Sequence, residues 1–459
     1  MCGVERDARV PLLPKREPAD GLLSTRTSYS KDMVRVRGVA LFLTLAAIPC
    51  VPLAGQQAAR PKDVREAAKA GSSAIPRLTQ YLKDPSLDVR AEAVKQITEI
   101  GPPRSLDPLV LATHDSDAQI QILATDGLVN YYLPGYFKSG LSGSLRRVGT
   151  DIKGRFSDTN DQAIDRYINV RPDVVTAIVG VLDNGATRDA KANAARALGV
   201  LRAGAAVDGL VAAAHSKDGA LIYETVVALE KIRDESAGPR LEFLMHDLDP
   251  KVQVAAIEAV GLLRDTGARS GLIDVLNQSD NARVKRTALT SLAMLPAESN
   301  RAVYQQYIRD KDDKLRAAAA EGFARLRKPA DTPMLDQAWK DEMKPQVRLA
   351  LAFALVMHGQ VGLSELSPLQ YLINNLDSAA YSGIAQPYLT ELAREDMVRK
   401  ALYGPLESGT KLEKIGLAQV LGSSGDQHSL DALNKLKDDP SPEVAQAALT
   451  AIRNLQSRL

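Results

Sequence analysis

An all-α solenoid of stacked antiparallel helix pairs is the fold this sequence predicts, and three observations predict it. A five-position apolar template recurs along the chain with a period near 31 residues. Turn and capping residues bracket each recurrence. Aromatic residues make up only 4% of the 459-residue chain, and an Ala-rich apolar fraction suits close helix stacking better than one large globular core. An ordinary chain of this length would split into several domains, whereas repeats extend one architecture indefinitely.

The unit is clearest in "HDLDPKVQVAAIEAVGLLRDTGA", residues 246–268. Asp249 can accept from unpaired backbone N–H groups as a helix cap, and Pro250 is tolerated in the first turn. Val252, Ala256, Ala259, Val260 and Leu263 then stand at offsets of 0, 4, 7, 8 and 11, the spacing of one apolar helix face. Gly267 is the expected stop. The alanines leave room for a neighbouring helix. Leu241, Leu244 and Leu248 mark a preceding helix of similar length.

The same template starts at Val89, Ile120, Ala190, Leu221, Val284, Leu315 and, less cleanly, at Val347, where it ends on His358. Its last and cleanest copy is Val444, Ala448, Ala451, Ile452 and Leu455. Anchors from Ala190 to Val347 are spaced by 31, 31, 32, 31 and 32 residues. The 97 residues from Val347 to Val444 hold three further periods, with Leu412 as the expected anchor of the second. The stretch near 362–400 reads as degenerate, interrupted by Pro387.

The segments "DPSLDVRAEAVKQI" (84–97), "DPKVQVAAIEAV" (249–260), "PQVRLALAFAL" (345–355) and "DPSPEVAQAALTAI" (439–452) resemble the HEAT-repeat family. The likeness is to its short bacterial subtype, often labelled lyase HEAT-like, and it covers about residues 62 to 459. It implies a HEAT-like α-α superhelix. About function it implies little, because unrelated proteins share the scaffold. In this family the Arg or Lys just after each anchor (Arg90, Lys191, Lys285, Arg316, Arg348) commonly ties one unit to the next through an Asp near the intra-repeat turn. An anion-binding stripe is the alternative reading of that column, which Gln121, Ile222 and Gln253 interrupt.

Residues 33–57, "MVRVRGVALFLTLAAIPCVPLAGQQ", have a basic start, a short apolar run and a small-residue exit. That pattern predicts a secretory signal peptide over 33–55, cleaved near Gly55, with translation starting at Met33 and residues 1–32 outside the product. The expected location is periplasmic or secreted; a retained signal would give a membrane anchor. Both cysteines, Cys2 and Cys50, precede the cleavage point, so the mature chain needs no disulfide. Lipidation of Cys50 is the alternative, against which Pro49 stands where a small residue is required.

No catalytic, cofactor or metal site is expected. The histidines (His114, His215, His246, His358, His428) fall in different repeats and none precedes Glu, so the His-Glu pairs of the HEAT-type iron hydroxylases are missing. No HExxH, P-loop or GxSxG appears. His358 reads as a hydrogen-bonded core histidine. A net charge of +2 gives no overall attraction to nucleic acid.

One irregularity points to function. The step from Ile120 to Ala190 is 70 residues, so about 39 are inserted between repeats 62–136 and those of 171–459. The insertion, 137–170 with its edge, opens on Tyr131, Tyr132, Tyr136 and Phe137, continues Gly-rich and basic, and closes with "DQAIDRYINV" (161–170), read as an extra helix. Tyr132, Tyr136, Phe137, Arg146, Arg147, Lys153 and Arg155 are therefore the candidate partner-binding residues, since interface hot spots use aromatics and arginine. The competing reading has the aromatics plugging a break in the stack. The expected function is a non-enzymatic exported scaffold for protein–protein interaction in the cell envelope. The alternatives are a lyase-like or chaperone-type helper gripping a prosthetic group or client, and a membrane-anchored structural component.

Overall fold

The computed structural model describes residues 59–136 and 162–459, all within one unit, Ala58–Leu459. The described residues are helical, with no strand among them. The segments assigned to a signal peptide and the basic part of the insertion lie outside the described residues.

Two rows of helices run side by side. The inner row is Pro61–Ala68, Leu87–Ile100, Ala118–Tyr132, Arg188–Val200, Gly219–Ile232, Pro250–Leu262, Ala282–Ala293, Asp313–Leu326, Pro345–Met357, Ser382–Leu392, Lys411–Ser424 and Pro442–Gln456, each packed on the next. Shorter outer helices, such as Ile75–Tyr81, Leu106–Ala112 and Arg301–Tyr307, lie against the inner row, the first on Pro61–Ala68 and Leu87–Ile100, the second on Leu87–Ile100 and Ala118–Tyr132, the third on Asp313–Leu326. This is the α-α solenoid that the period predicts. The stack is continuous across the insertion, for Ala118–Tyr132 packs directly on Arg188–Val200.

Capping fixes the register of the inner row. Three residues before their anchors, Asp117, Thr187, Asp218, Asp249, Asn281, Asp312 and Thr410 each accept from a backbone N–H in the first turn. That satisfies a donor that the helix start would leave unpaired. The Thr410 cap also corrects one expectation. The anchor it defines is Glu413, not Leu412: Leu412 is 51% exposed, while Leu417, Val420 and Leu421 are buried. Glu413 takes the apolar slot because its carboxylate accepts from the Thr410 N–H at 2.9 Å, completing a reciprocal capping box.

Four other expectations change. The stretch near 362–400 is a full unit, Pro368–Asn374 followed by Ser382–Leu392, with Pro387 inside the second helix. Burial of Ala385, Tyr388, Leu389 and Leu392 outweighs the one hydrogen bond that proline removes. Residues 162–170 form no helix, only a turn at Arg166–Tyr167. Their amides are drawn elsewhere: Ile164 donates to the Val200 carbonyl at 2.9 Å. The helix expected before Asp249 is instead two 3₁₀ segments, Glu235–Arg240 and Glu242–His246, with Pro239 in the first and Leu248 98% exposed. The stop after Leu262 is Arg264, in the left-handed region at φ 56°, rather than Gly267.

Small residues set how closely inner helices approach. A Cβ on Gly199 would lie 2.6 Å from the Ala228 Cα, one on Gly261 2.8 Å from the Ser291 Cα, and one on Gly422 2.8 Å from the Ala451 Cα. All three glycines stand nine residues after an anchor, and their partners stand seven after the next.

Candidate functional site

The basic column after the anchors is structural. Arg90 forks onto Asp115 at 2.7 and 3.2 Å and donates to the Asp84 carbonyl at 2.9 Å. Arg316 repeats the pattern on Glu342, at 2.8 and 3.3 Å, and on the Asp310 carbonyl at 2.9 Å. Lys414 reaches Asp439 at 2.9 Å. Gln121 also serves, donating to the Asp115 carbonyl at 2.8 Å and accepting from the Ala186 N–H at 2.9 Å across the insertion. Arg348 departs from the column, lying over the Trp339 and Tyr371 rings at 4.5 and 5.3 Å. His358 is a structural histidine: its Nε2 contacts the Phe323 carbonyl at 3.2 Å and its Nδ1 the Thr332 hydroxyl at 2.9 Å.

The charges left to explain lie on the inner row. Asp126, Asn193, Arg196 and Glu224 link three successive inner helices: Asn193 donates to Asp126 at 3.1 Å, and Arg196 stands 3.6 Å from Glu224. Arg196 is 7% and Glu224 2% exposed. Burial pushes the Glu224 carboxyl up to about 6, with Arg196 and Lys231 opposing the shift. Farther along, Arg325 donates to Glu391 at 2.7 and 2.8 Å, two inner helices away, and pairs with Glu321 at 3.2 Å. Tyr388 donates to Glu321 at 2.6 Å and stacks on Phe353. This second cluster is satisfied and ties together three repeats.

Between the clusters lies a pair of acids, one of which, Glu230, has an unsatisfied oxygen. Glu230, nine residues after its anchor, occupies the position that Gly199 and Gly261 fill in the flanking repeats. Its Oε1 is buried without a hydrogen-bond partner. Burial, and then the charge of Glu258, push its carboxyl well above the usual range, against Arg233 and Lys231. Glu258, on the next inner helix, is exposed yet crowded by its neighbours, and that crowding raises its carboxyl too, against Arg233 and Arg283. A desolvated carboxylate beside a like charge is costly unless a cation joins it.

Of the residues singled out in the insertion, two are described. Tyr132 is half-buried; its hydroxyl accepts from the Arg171 N–H at 3.0 Å, and its ring meets Tyr131 edge-on. Tyr136 packs on the core, its hydroxyl without a hydrogen-bond partner, and burial, then Asp126, raise its pKa. Both face the stack, as a plug would. Phe137, Arg146, Arg147, Lys153 and Arg155 lie outside the described residues. Glu230 and Glu258 were missed because the template reads apolar positions. The readable signal was a carboxylate at the slot that glycine fills at 199, 261 and 422.

The family profile of HEAT repeats matches residues 58–129, 239–304 and 269–356. No curated protein sequence matches the chain. Among solved structures, the CpcE–CpcF complex of phycocyanin lyase from Nostoc sp. is similar at 18% identity, over 59% of this chain and 94% of that one, with a TM-score of 0.36. Importin beta aligns at 13% identity over 87% of this chain and 60% of that one, with a TM-score of 0.37. Human deoxyhypusine hydroxylase aligns at 20% identity over 62% and 96%, with a TM-score of 0.26.

Proposed function

From the premise that the chain is built of HEAT repeats, we propose that it is a protein-binding scaffold whose inner row receives a basic segment of its partner at Glu230 and Glu258. The observation that carries this reading is the Glu230 Oε1, buried without a hydrogen-bond partner on the inner row where flanking repeats place glycine. A Lys or Arg side chain from a partner would supply the hydrogen bond that Glu230 Oε1 lacks and add to the charge of Arg233 and Lys231, and a pair of this kind gains strength where water is partly excluded. The protein acts by binding rather than by chemistry of its own.

The scaffold works in the cell envelope after export, a reading supported by the basic, apolar and small-residue order of residues 33–55. N-terminal sequencing of the mature protein is expected to find a start close to Gly55. Intact residues 33–50 on a soluble cytoplasmic form would remove export from the account.

The binding test uses the full chain as bait in extracts of the source organism, with quantitative mass spectrometry. The Glu230→Gln/Glu258→Gln variant keeps the shape and removes both charges. It is expected to lose a partner that the wild type and an Asp274→Asn control both retain. Equal capture by all three would refute the assignment of the inner row.

A further inference from the structure

A cavity of about 640 Å³ lies where residues 164–172 cross the Pro172–Asn184 helix and the turn after Val200. That volume is within the range of small-molecule sites. Ile164, Ile168 and Val170 line one side, and Val175, Val179 and Ile232 another. Its charged residues are Arg166, Arg202 and Asp165. The lining is thus mixed, with aliphatic side chains beside Asn169 and Thr176 and two guanidinium groups against one carboxylate.

Arg202 is the built part of this site. It stands in the left-handed region at φ 48°, as Arg233, Arg264 and Arg327 do at the equivalent place in their repeats. Its Nη1 donates to the Lys231 carbonyl at 3.2 Å, a tie that Arg233 repeats on the Leu262 carbonyl, and its Nε donates to the Ile164 carbonyl in the cavity wall at 3.1 Å. Those bonds occupy two of the five N–H groups of a guanidinium. They also clamp the 164–172 segment to the end of the Gly219–Ile232 helix, so the cavity wall and its cation are fixed together.

The surroundings add positive charge. Burial, then Arg166 and Arg233, hold the Arg202 pKa below its ordinary value, with Asp165 opposing. Burial, then Arg166 and Arg394, do the same for Arg458 at the far end of the chain. At the cavity itself the two lining guanidinium groups, Arg166 and Arg202, face the single carboxylate of Asp165, and an anion would relieve their mutual repulsion.

We infer that this cavity binds an acyl-chain carboxylate, with the chain among Ile164, Ile168, Val175 and Val179 and the head group on Arg166 and Arg202. Guanidinium–carboxylate pairs are commonly bidentate and charge-assisted, and the lining residues are those that exclude water from an acyl chain. No bond is made or broken; the assignment concerns binding alone. It is independent of the inner-row reading, because Glu230 and Glu258 do not line the cavity.

The test is isothermal titration of the full-length protein with decanoate below its micelle concentration, alongside decanol and an acetylated tripeptide ending in a Leu carboxylate. Decanoate is expected to bind saturably at one site per chain, and decanol at least about tenfold more weakly, a factor within reach of one charge-assisted pair. Arg166→Gln is on the exposed turn and leaves the stack intact; it should weaken decanoate several-fold and leave decanol unchanged. Val179→Trp, which fills the cavity, should abolish both. Absence of saturable decanoate binding would overturn the assignment. So would equal affinity for decanol, tighter binding of the tripeptide, or unchanged decanoate affinity in folded Arg166→Gln and Val179→Trp proteins.

Discussion

Replacing Gly199 by alanine sets two effects of opposite sign against each other, and the structure decides which wins. In a helix interior, alanine is favoured over glycine by roughly 0.8–1 kcal/mol. At Gly199 the added Cβ would meet the Ala228 Cα at 2.6 Å and its Cβ at 2.8 Å, whereas ordinary contact begins at 3.4 Å. The obstacle is backbone, so no rotamer change relieves it. The Arg188–Val200 and Gly219–Ile232 helices must therefore separate by about 0.8 Å, loosening an interior packed to crystal-like density. Overpacking of this kind costs roughly 1–3 kcal/mol, and because the obstacle is backbone the upper part of that range applies, so a net loss of up to about 2 kcal/mol is expected after the propensity gain. Gly404, in the Asp396–Ser408 helix, has nothing within 4 Å of the place a Cβ would take; there alanine should gain about 0.5–1 kcal/mol. Urea unfolding followed by far-ultraviolet circular dichroism should show Gly199→Ala moving the midpoint down and Gly404→Ala moving it up. If both variants rise together, inner helices do not approach as closely as described, and the glycine-to-small-residue account of the repeat contacts is wrong.

Glu224 should give a pH signature: its carboxyl rises from 4.5 to about 6, so the native state binds the proton more tightly. Its contribution therefore falls by roughly 2 kcal/mol as pH rises from about 4.5 to 6, read as the wild-type-minus-Glu224→Gln difference in unfolding free energy; a difference that grows over that window contradicts the burial argument. Arg316→Ala removes the fork onto Glu342 and two carbonyl contacts, and a loss of roughly 1.5–3 kcal/mol is expected in the same assay. At Glu342 burial raises the carboxyl, but the Arg316 bond, the Lys344 N–H, the Arg316 charge and the Met343 N–H together more than offset it, so this tie is present above the unfolded pKa and lost as pH falls through the lowered folded one. The corrected register is tested by Leu412→Gln, expected within about 0.5 kcal/mol of wild type, and by Leu417→Ala, expected to lose roughly 2–5 kcal/mol; the reverse order would restore Leu412 as the anchor.

The fold was legible because its stabilising contacts repeat. Val252, Ala256, Ala259, Val260 and Leu263 are all buried, and any residue set at those offsets carries the same instruction. Legibility failed where one residue had two uses. Leu412 looked like an anchor because apolar residues were sought, yet a glutamate that caps its own helix fills the slot. Ile164 and Ile168 are spaced as on a helix, but the amide of Ile164 is taken by Val200, which sequence spacing cannot report. Of the partner-binding candidates, Tyr132 and Tyr136 could be read as plug or anchor from sequence, since burying an aromatic serves either. The inner-row acids needed the structure, because a carboxylate is costly only once its neighbours are known to crowd it.

The most direct measurement of the central claim is site-specific photocrosslinking in cells of the source organism. A photoreactive residue replaces Glu258 on the inner row or, as the comparison, Asp274 on the outer Arg269–Gln278 helix. The account predicts one discrete crosslinked partner from position 258, lost when Glu230→Gln is added, and none from position 274. Crosslinking from position 274 alone, or from position 258 regardless of Glu230, would contradict it.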